Sequence, residues 1–230
     1  ISAETLTTRN KNGKNWEIAE LRGKRFIIAS ELEEGTRLNT AFVKKISSTD
    51  EIKGEQKYKD PFDFFPSHTT VLFTNHLPRV GSIDVGTWRR LVVIPFNAII
   101  EGKADIKNYG EFLFCHAGGA ALSWVIEGAK RFTEAGYSID TPECVKNATK
   151  DYRSANDWLK KFLEACCVVD LNSKTMSSGL YEVYRSFCSD SGEYTRKQQD
   201  FNSALEEAGY ERKRSGQGWF IQGLHIKKYF

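Results

Sequence analysis

Glu31, Asn75 and the Arg89-Arg90 pair are the residues whose types and spacing could do chemistry in this 230-residue sequence. Each stands at the end of an apolar run. Glu31 closes Arg25-Phe26-Ile27-Ile28-Ala29-Ser30-Glu31, Asn75 closes Val71-Leu72-Phe73-Thr74-Asn75, and Arg89-Arg90 open the run Leu91 to Pro95. A carboxylate can orient water, and an amide can both donate and accept without changing charge. A guanidinium neutralises charge on oxygen. Phosphoryl transfer needs these groups, together with a phosphate cradle and Mg²⁺. Three strands that each present a polar group at one end read as an open parallel sheet building a ligand crevice.

Plainer readings stand beside these. Glu31 could be a strand-end surface carboxylate, and Asn75-His76-Leu77-Pro78 is ordinary turn chemistry. Neighbouring side chains on a strand face opposite ways, so Arg89 and Arg90 cannot share one job. Either could be an ion-pair partner of Asp84.

In order and spacing, Gly23-Lys24-Arg25 through Glu31, Thr74-Asn75-His76-Leu77-Pro78, and Asp84-Val85-Gly86-Thr87-Trp88-Arg89-Arg90 through Phe96 resemble the superfamily 3 helicases. Within them, the likeness is to the primase-helicases of phages, plasmids and poxviruses. The resemblance implies an α/β P-loop NTPase core, AAA+-like, binding ATP and Mg²⁺. Glu31 would be the Walker B carboxylate and the Mg²⁺ candidate, Asn75 the sensor, and Arg90 (or Arg89) the finger reaching a neighbouring subunit's nucleotide. Where family members often carry two acids, Ser30 precedes Glu31, leaving Ser30, Glu31 and Asn75 as the cofactor-facing set. The phosphate cradle G-x-x-x-x-G-K-[ST] is absent. Gly13-Lys14, Gly23-Lys24 and Gly102-Lys103 all lack the following Ser or Thr and the earlier Gly. Since the chain begins with Ile1, a fragment is expected whose P-loop lies upstream. In the family that strand lies between the sensor strand and the one after it. Its loss would leave open edges, calling for a strand from another chain or a rearranged sheet.

The elements that position these residues follow from periodicity. Leu38, Phe42 and Ile46 give a short helix with one apolar face, with Lys44 and Lys45 expected on its exposed side. The stretch from Asp50 to Lys59 matches the family's channel hairpin, in which Lys53, Lys57 and Lys59 would contact phosphates and Tyr58 a base or sugar. Asp50, Glu51 and Glu55 keep open a solvated mixed-charge loop. A helix from Tyr109 to Phe132 ending near Gly136 is expected as a lid, and Thr141-Pro142-Glu143 opens another. Beyond residue 152, helices from Asp157, Gly179 and Thr195 precede strands Tyr210–Lys213 and Trp219–Gln222. That plan is a winged helix and resembles the family's C-terminal module. There Arg196 and Lys197, with Arg212, Lys213 and Arg214 in the wing, would face DNA, although such modules also serve as protein-interaction units.

The domains expected are therefore 1–140, a partial ATPase with a helical lid, and 141–230, an α+β winged helix. A net charge of +3 leaves nucleic-acid affinity to local patches. No uninterrupted apolar run of about 18 residues suggests a membrane span, so no membrane partner and a cytoplasmic location, in a bacterial host if phage- or plasmid-encoded, are expected. Five cysteines without C-x-x-C indicate buried, reduced thiols, and the four scattered histidines suggest no metal. The function implied is a segment of an ATP-dependent replicative helicase acting on single-stranded or forked DNA, hexameric in full length and inactive as this chain alone. A non-catalytic DNA-binding or assembly module and a loader-type ATPase are the alternatives.

Overall fold

The computed structural model describes residues 1–8, 15–81, 84–216 and 218–227. Gly13 and Lys14 of one Gly-Lys pair, and Gln217 of the expected wing turn, lie outside the described residues.

After α1 (Asn15–Ala19), β1 (Phe26–Ser30) alternates strictly, with Ile27 and Ala29 buried and Phe26 and Ile28 exposed. α2 (Thr40–Ile46) starts where the Asn39 side chain accepts the Phe42 N–H at 3.0 Å. Leu38, Phe42 and Ile46 are buried, as their four-residue spacing requires. The antiparallel hairpin β2 (Ile52–Gly54) and β3 (Phe62–Phe64) follows, with Lys53 opposite Asp63. β4 (Thr69–Phe73) then returns beside β1 in parallel, from Phe26 opposite Thr69 to Ser30 opposite Phe73. A parallel pair needs a long crossover, and α2 with the hairpin supplies it. α3 (Val85–Trp88) is one turn, capped by Asp84.

The third strand expected over Leu91–Pro95 is not formed. Leu91, Val93 and Pro95 are half-buried while Val92 and Ile94 are exposed, so the alternation is real. No described strand offers it a ladder, and Val93 N–H instead donates to Thr149 Oγ1 at 3.0 Å. Without a partner an extended run is not a sheet member.

Residues 91–152 form a second unit. In it, α4 (Tyr109–Glu134) breaks helical geometry at Ala117 (φ −138°) and ends at Gly136, whose φ of +66° suits a left-handed helix stop. No residue of α4 is buried. By length and composition α4 could cross a membrane, although Gly118, Gly119, Ser123 and Glu127 interrupt its apolar residues. One such helix is weak support, and no span is assigned. α5 (Glu143–Ala155) starts at Pro142, whose carbonyl accepts the N–H groups of Val145 and Lys146.

The rest of the first unit contains α6 (Trp158–Cys166), β5 (Cys167–Met176), α7 (Ser177–Ser191), α8 (Gln198–Glu207), β6 (Arg212–Ser215) and β7 (Gly218–Ile226). Its antiparallel sheet runs β5-β7-β6. The sequence reading omitted β5, because its ladder breaks between Val169 and Lys174. There Asp170 accepts from Asn172 N–H and from Ser173 Oγ, a side-chain turn that interrupts the alternation. Phe162, Leu180, Phe201, Leu205, Ile221 and Leu224 fill the core. Tyr184 stacks on Phe201 with ring centroids 4.5 Å apart, and burial pushes its phenol up to about 12. Cys166, Cys167 and Cys188 are buried free thiols as expected, but Cys115 and Cys144 are exposed because α4 and α5 turn them outward. The fold is thus mixed α/β, built from helices and small sheets.

His68, just before β4, has both ring nitrogens buried without a hydrogen-bond partner, and desolvation lowers its pKa below the usual 6.5. The unfolded chain therefore binds the proton more readily. His68 should contribute stability that is complete above pH ~6.5 and declines as pH falls toward the folded-state value. Thermal unfolding between pH 7.5 and 5.5 should show this loss, and His68→Phe should flatten it.

Candidate functional site

The register between β1 and β4 brings two of the sequence motifs together. Glu31 N–H continues the ladder by donating to Phe73 O at 3.1 Å, and Leu32 N–H reaches Thr74 Oγ1 at 3.4 Å. Thr74 Oγ1 in turn donates to His76 O at 3.0 Å and accepts His76 N–H at 3.2 Å, fixing the turn that carries Asn75. Ser30, Glu31 and Asn75 are all exposed at this end of the pair. Glu31 sits in the left-handed region at φ 59°. That conformation costs a non-glycine residue of order 1–2 kcal/mol, and such strain clusters at functional sites.

The arginine pair is held differently. Arg89 is exposed at the end of α3, whereas half-buried Arg90 curls back and donates from Nη1 to Gly86 O at 2.6 Å. Asp84 is not its ion-pair partner: Asp84 accepts from Thr87 N–H and Thr87 Oγ1, each at 2.8 Å, and pairs with Lys44 at 3.3 Å. Lys44 is therefore engaged, and not the free exposed cation that its helix position suggested.

The Asp50–Lys59 stretch supplies the first strand and the tip of a hairpin that returns along Phe62–Phe64. Lys57, Tyr58 and Lys59 share its exposed tip, where Tyr58 is 104% exposed at φ 63°, and Lys53 lies on its flank. Gly54 holds the base: a Cβ there would lie 3.0 Å from the Ala19 Cα, so only glycine lets β2 approach α1 this closely. Arg22 lies 4.7 Å over the Phe62 ring on the return strand. The tip presents two ammonium groups and an unpacked ring, the pairing that single-stranded nucleic acid recognises through phosphate attraction and base stacking.

The C-terminal cations divide. Lys197 and Arg214 are exposed, Lys213 pairs with Glu211, and Arg212 packs 4.5 Å over the Trp219 ring. Arg196 is committed to packing: it stacks 4.0 Å from the Trp158 ring centroid and donates to Gly81 O at 3.0 Å and Tyr194 O at 3.3 Å. Sequence position at a helix start did not distinguish it from Lys197. Sequence reading also passed over Arg37 and Arg79, which a parallel bridge sets side by side. No local pattern joins residues 42 positions apart.

Residues 2–90 match a family of unknown function (DUF5906), and residues 154–223 match the poxvirus D5 protein-like family. A provisionally named helicase of Acanthamoeba polyphaga mimivirus is 40% identical over 80 residues, covering 35% of this chain and 8% of the relative. Provisionally named helicases of Invertebrate iridescent virus 6 and Frog virus 3 (isolate Goorha) are each 24% identical. They cover 72% and 82% of this chain, and 20% and 21% of the relatives. The chain thus spans about a fifth or less of the length of these proteins. Its similarity is to the poxvirus D5 protein-like family in the C-terminal third and to provisionally named viral helicases along most of its length.

Gly54→Val should destabilise the first unit by about 1–3 kcal/mol, as overpacking does. Denaturant unfolding, with unchanged slope and a lower midpoint, would check it.

Proposed function

We propose that this chain, similar to the poxvirus-type primase-helicase family, is part of an ATP-dependent DNA helicase acting at replication on single-stranded or forked DNA. The observation that carries this reading is the parallel pairing of β1 with β4, which sets Glu31 beside the Thr74-Asn75 turn. Exposed at the strand ends, the two side chains suit the water-facing side of a γ-phosphate. Glu31 would accept a proton from water and orient it, and the Asn75 amide would hold water or phosphate oxygen without changing charge. Arg90, freed from Gly86 O, would act on the nucleotide of the next subunit in a homo-oligomeric ring, hexameric by the resemblance. On this reading the phosphate cradle comes from outside these 230 residues.

The donor set fits Mg²⁺ in a limited way. No group of three or more His, Cys, Asp or Glu side chains suited to a metal occurs among the described residues. Glu31, with Ser30 beside it, would hold Mg²⁺ together with nucleotide phosphates and water, as that ion commonly is held. When bound, the ion would neutralise charge on the transferred phosphoryl group.

The hairpin tip is the strand-gripping element in this reading. The order helix, strand, helix, helix, strand, strand over residues 158–226 supports a winged helix, with Lys197 and Arg214 among its exposed cations. A second reading, a non-catalytic DNA-binding module, is favoured by the exposure of Lys57, Tyr58 and Lys59, which needs no nucleotide.

In a helicase assembled with its phosphate cradle, Glu31→Gln should lower ATP turnover roughly 10²–10⁴-fold while nucleotide still binds. Unchanged turnover would sink the catalytic assignment, and the purified 230-residue chain should show no appreciable turnover. Tyr58→Gly should leave stability unchanged or slightly raised, because glycine adopts the positive φ freely. The same change should weaken single-strand binding by about 1–3 kcal/mol, read by fluorescence anisotropy. Undiminished binding in Tyr58→Gly and in Lys57→Ala/Lys59→Ala would remove the hairpin from the DNA interface.

A further inference from the structure

Within the first unit, a cavity of about 410 Å³ opens where the segments around Arg37 and Arg79 meet the segments around Trp158 and Tyr194. Its lining is strongly cationic: Arg37, Arg79, Lys161 and Arg196 against one carboxylate, Glu193, which lies 3.7 Å from Lys161. Arg37 and Arg79 are bridge partners, with Arg79 N–H donating to Thr36 O at 2.7 Å and Leu38 N–H to Arg79 O at 2.9 Å. Like charges directly opposite on paired backbones repel. The Arg37 guanidinium lies 4.4 Å over the Tyr194 ring and makes no ion pair among the described residues. Burial and the neighbouring Arg196 charge both lower its pKa, so its cation is under strain that an anion would relieve. Gly81 leaves room for it, since a Cβ there would lie 2.8 Å from Arg37 Nη2. Arg196 is fixed too, by Trp158 and the Gly81 carbonyl.

Preset guanidinium forks with little carboxylate to answer them suit phosphate oxygens, which accept two N–H bonds from one arginine. The volume is that of a small-ligand site, and Tyr194, 59% exposed, offers an aromatic surface at the rim. We propose that this cavity binds the phosphate of a nucleotide, either free or within a strand. The site joins the two segments that match separate families, residues 2–90 and 154–223, and lies apart in the chain from the hairpin tip.

Titration calorimetry of the 230-residue chain with sodium pyrophosphate, and separately with a (dT)12 oligonucleotide, tests it. Pyrophosphate should bind the wild type and raise its unfolding temperature. Arg37→Gln and Arg79→Gln, checked for folding by circular dichroism, should each weaken binding roughly tenfold or more. Lys57→Ala/Lys59→Ala should leave pyrophosphate binding unchanged, so loss of oligonucleotide binding in that variant alone tests the helicase reading separately. If (dT)12 displaces pyrophosphate, the phosphate belongs to a strand; if both bind together, it belongs to a free nucleotide. Absence of pyrophosphate binding to the wild type at millimolar concentration, or equal binding by folded Arg37→Gln and Arg79→Gln, would overturn the site.

Discussion

The parallel pairing of β1 with β4 is the constraint on which the functional geometry rests. Parallel strands cannot be joined by a tight turn, so the 38 residues from Glu31 to His68 must leave one end of the pair and return at the other. That obligatory excursion is where α2 and the exposed hairpin are built. The same pairing aligns the ends of both strands, so that Glu31 and Asn75 follow them at one end of the pair. It leaves Phe26, Ile28, Val71 and Phe73 exposed on one side, an apolar face of the kind that parallel sheets bury under helices.

A second constraint holds the first unit together across a long gap in sequence. Arg196 stacks on Trp158 and reaches Gly81, while Val80 N–H donates to Asn156 Oδ1 at 2.7 Å. The loop after Asn75 is thereby tied directly to α6 and to the segment before α8. A cation over an aromatic face contributes about 0.5–2 kcal/mol depending on desolvation, and here it also satisfies two backbone carbonyls.

Local pattern was enough where one residue spacing decided the outcome. The alternation of Phe26 to Ser30, the four-residue repeat of Leu38, Phe42 and Ile46, and the glycine stop at Gly136 were all legible. The hairpin was legible only through resemblance, because its strands Ile52–Gly54 and Phe62–Phe64 are three residues each, too short for their alternation to stand out. Leu91–Pro95 shows the converse. Its alternation is present, but strandhood depends on a neighbour that no local pattern specifies. β5 was hidden by the Asp170 turn inside it. The roles of Lys44 and Arg196 were hidden because Asp84 and Gly81 lie 40 and 115 residues away from them. The sequence suggested parallel strands with polar residues at their ends, and β1 and β4 pair in parallel with Glu31 and Asn75 at one end, whereas the Arg37–Arg79 bridge had no sequence signature at all.

The distribution of the five thiols has a practical consequence. Cys166 and Cys167 are buried, with burial raising both and pushing Cys167 up to about 12, and Cys188 is buried beside Tyr184. A thiol held protonated and out of solvent reacts slowly with electrophiles. Cys115 on α4 and Cys144 on α5 are open to solvent, and both belong to residues 91–152. The native sequence therefore carries its own pair of chemical handles. A dye or spin label applied at neutral pH would mark the second unit alone, and the separation between its two positions could be followed spectroscopically without removing a single cysteine.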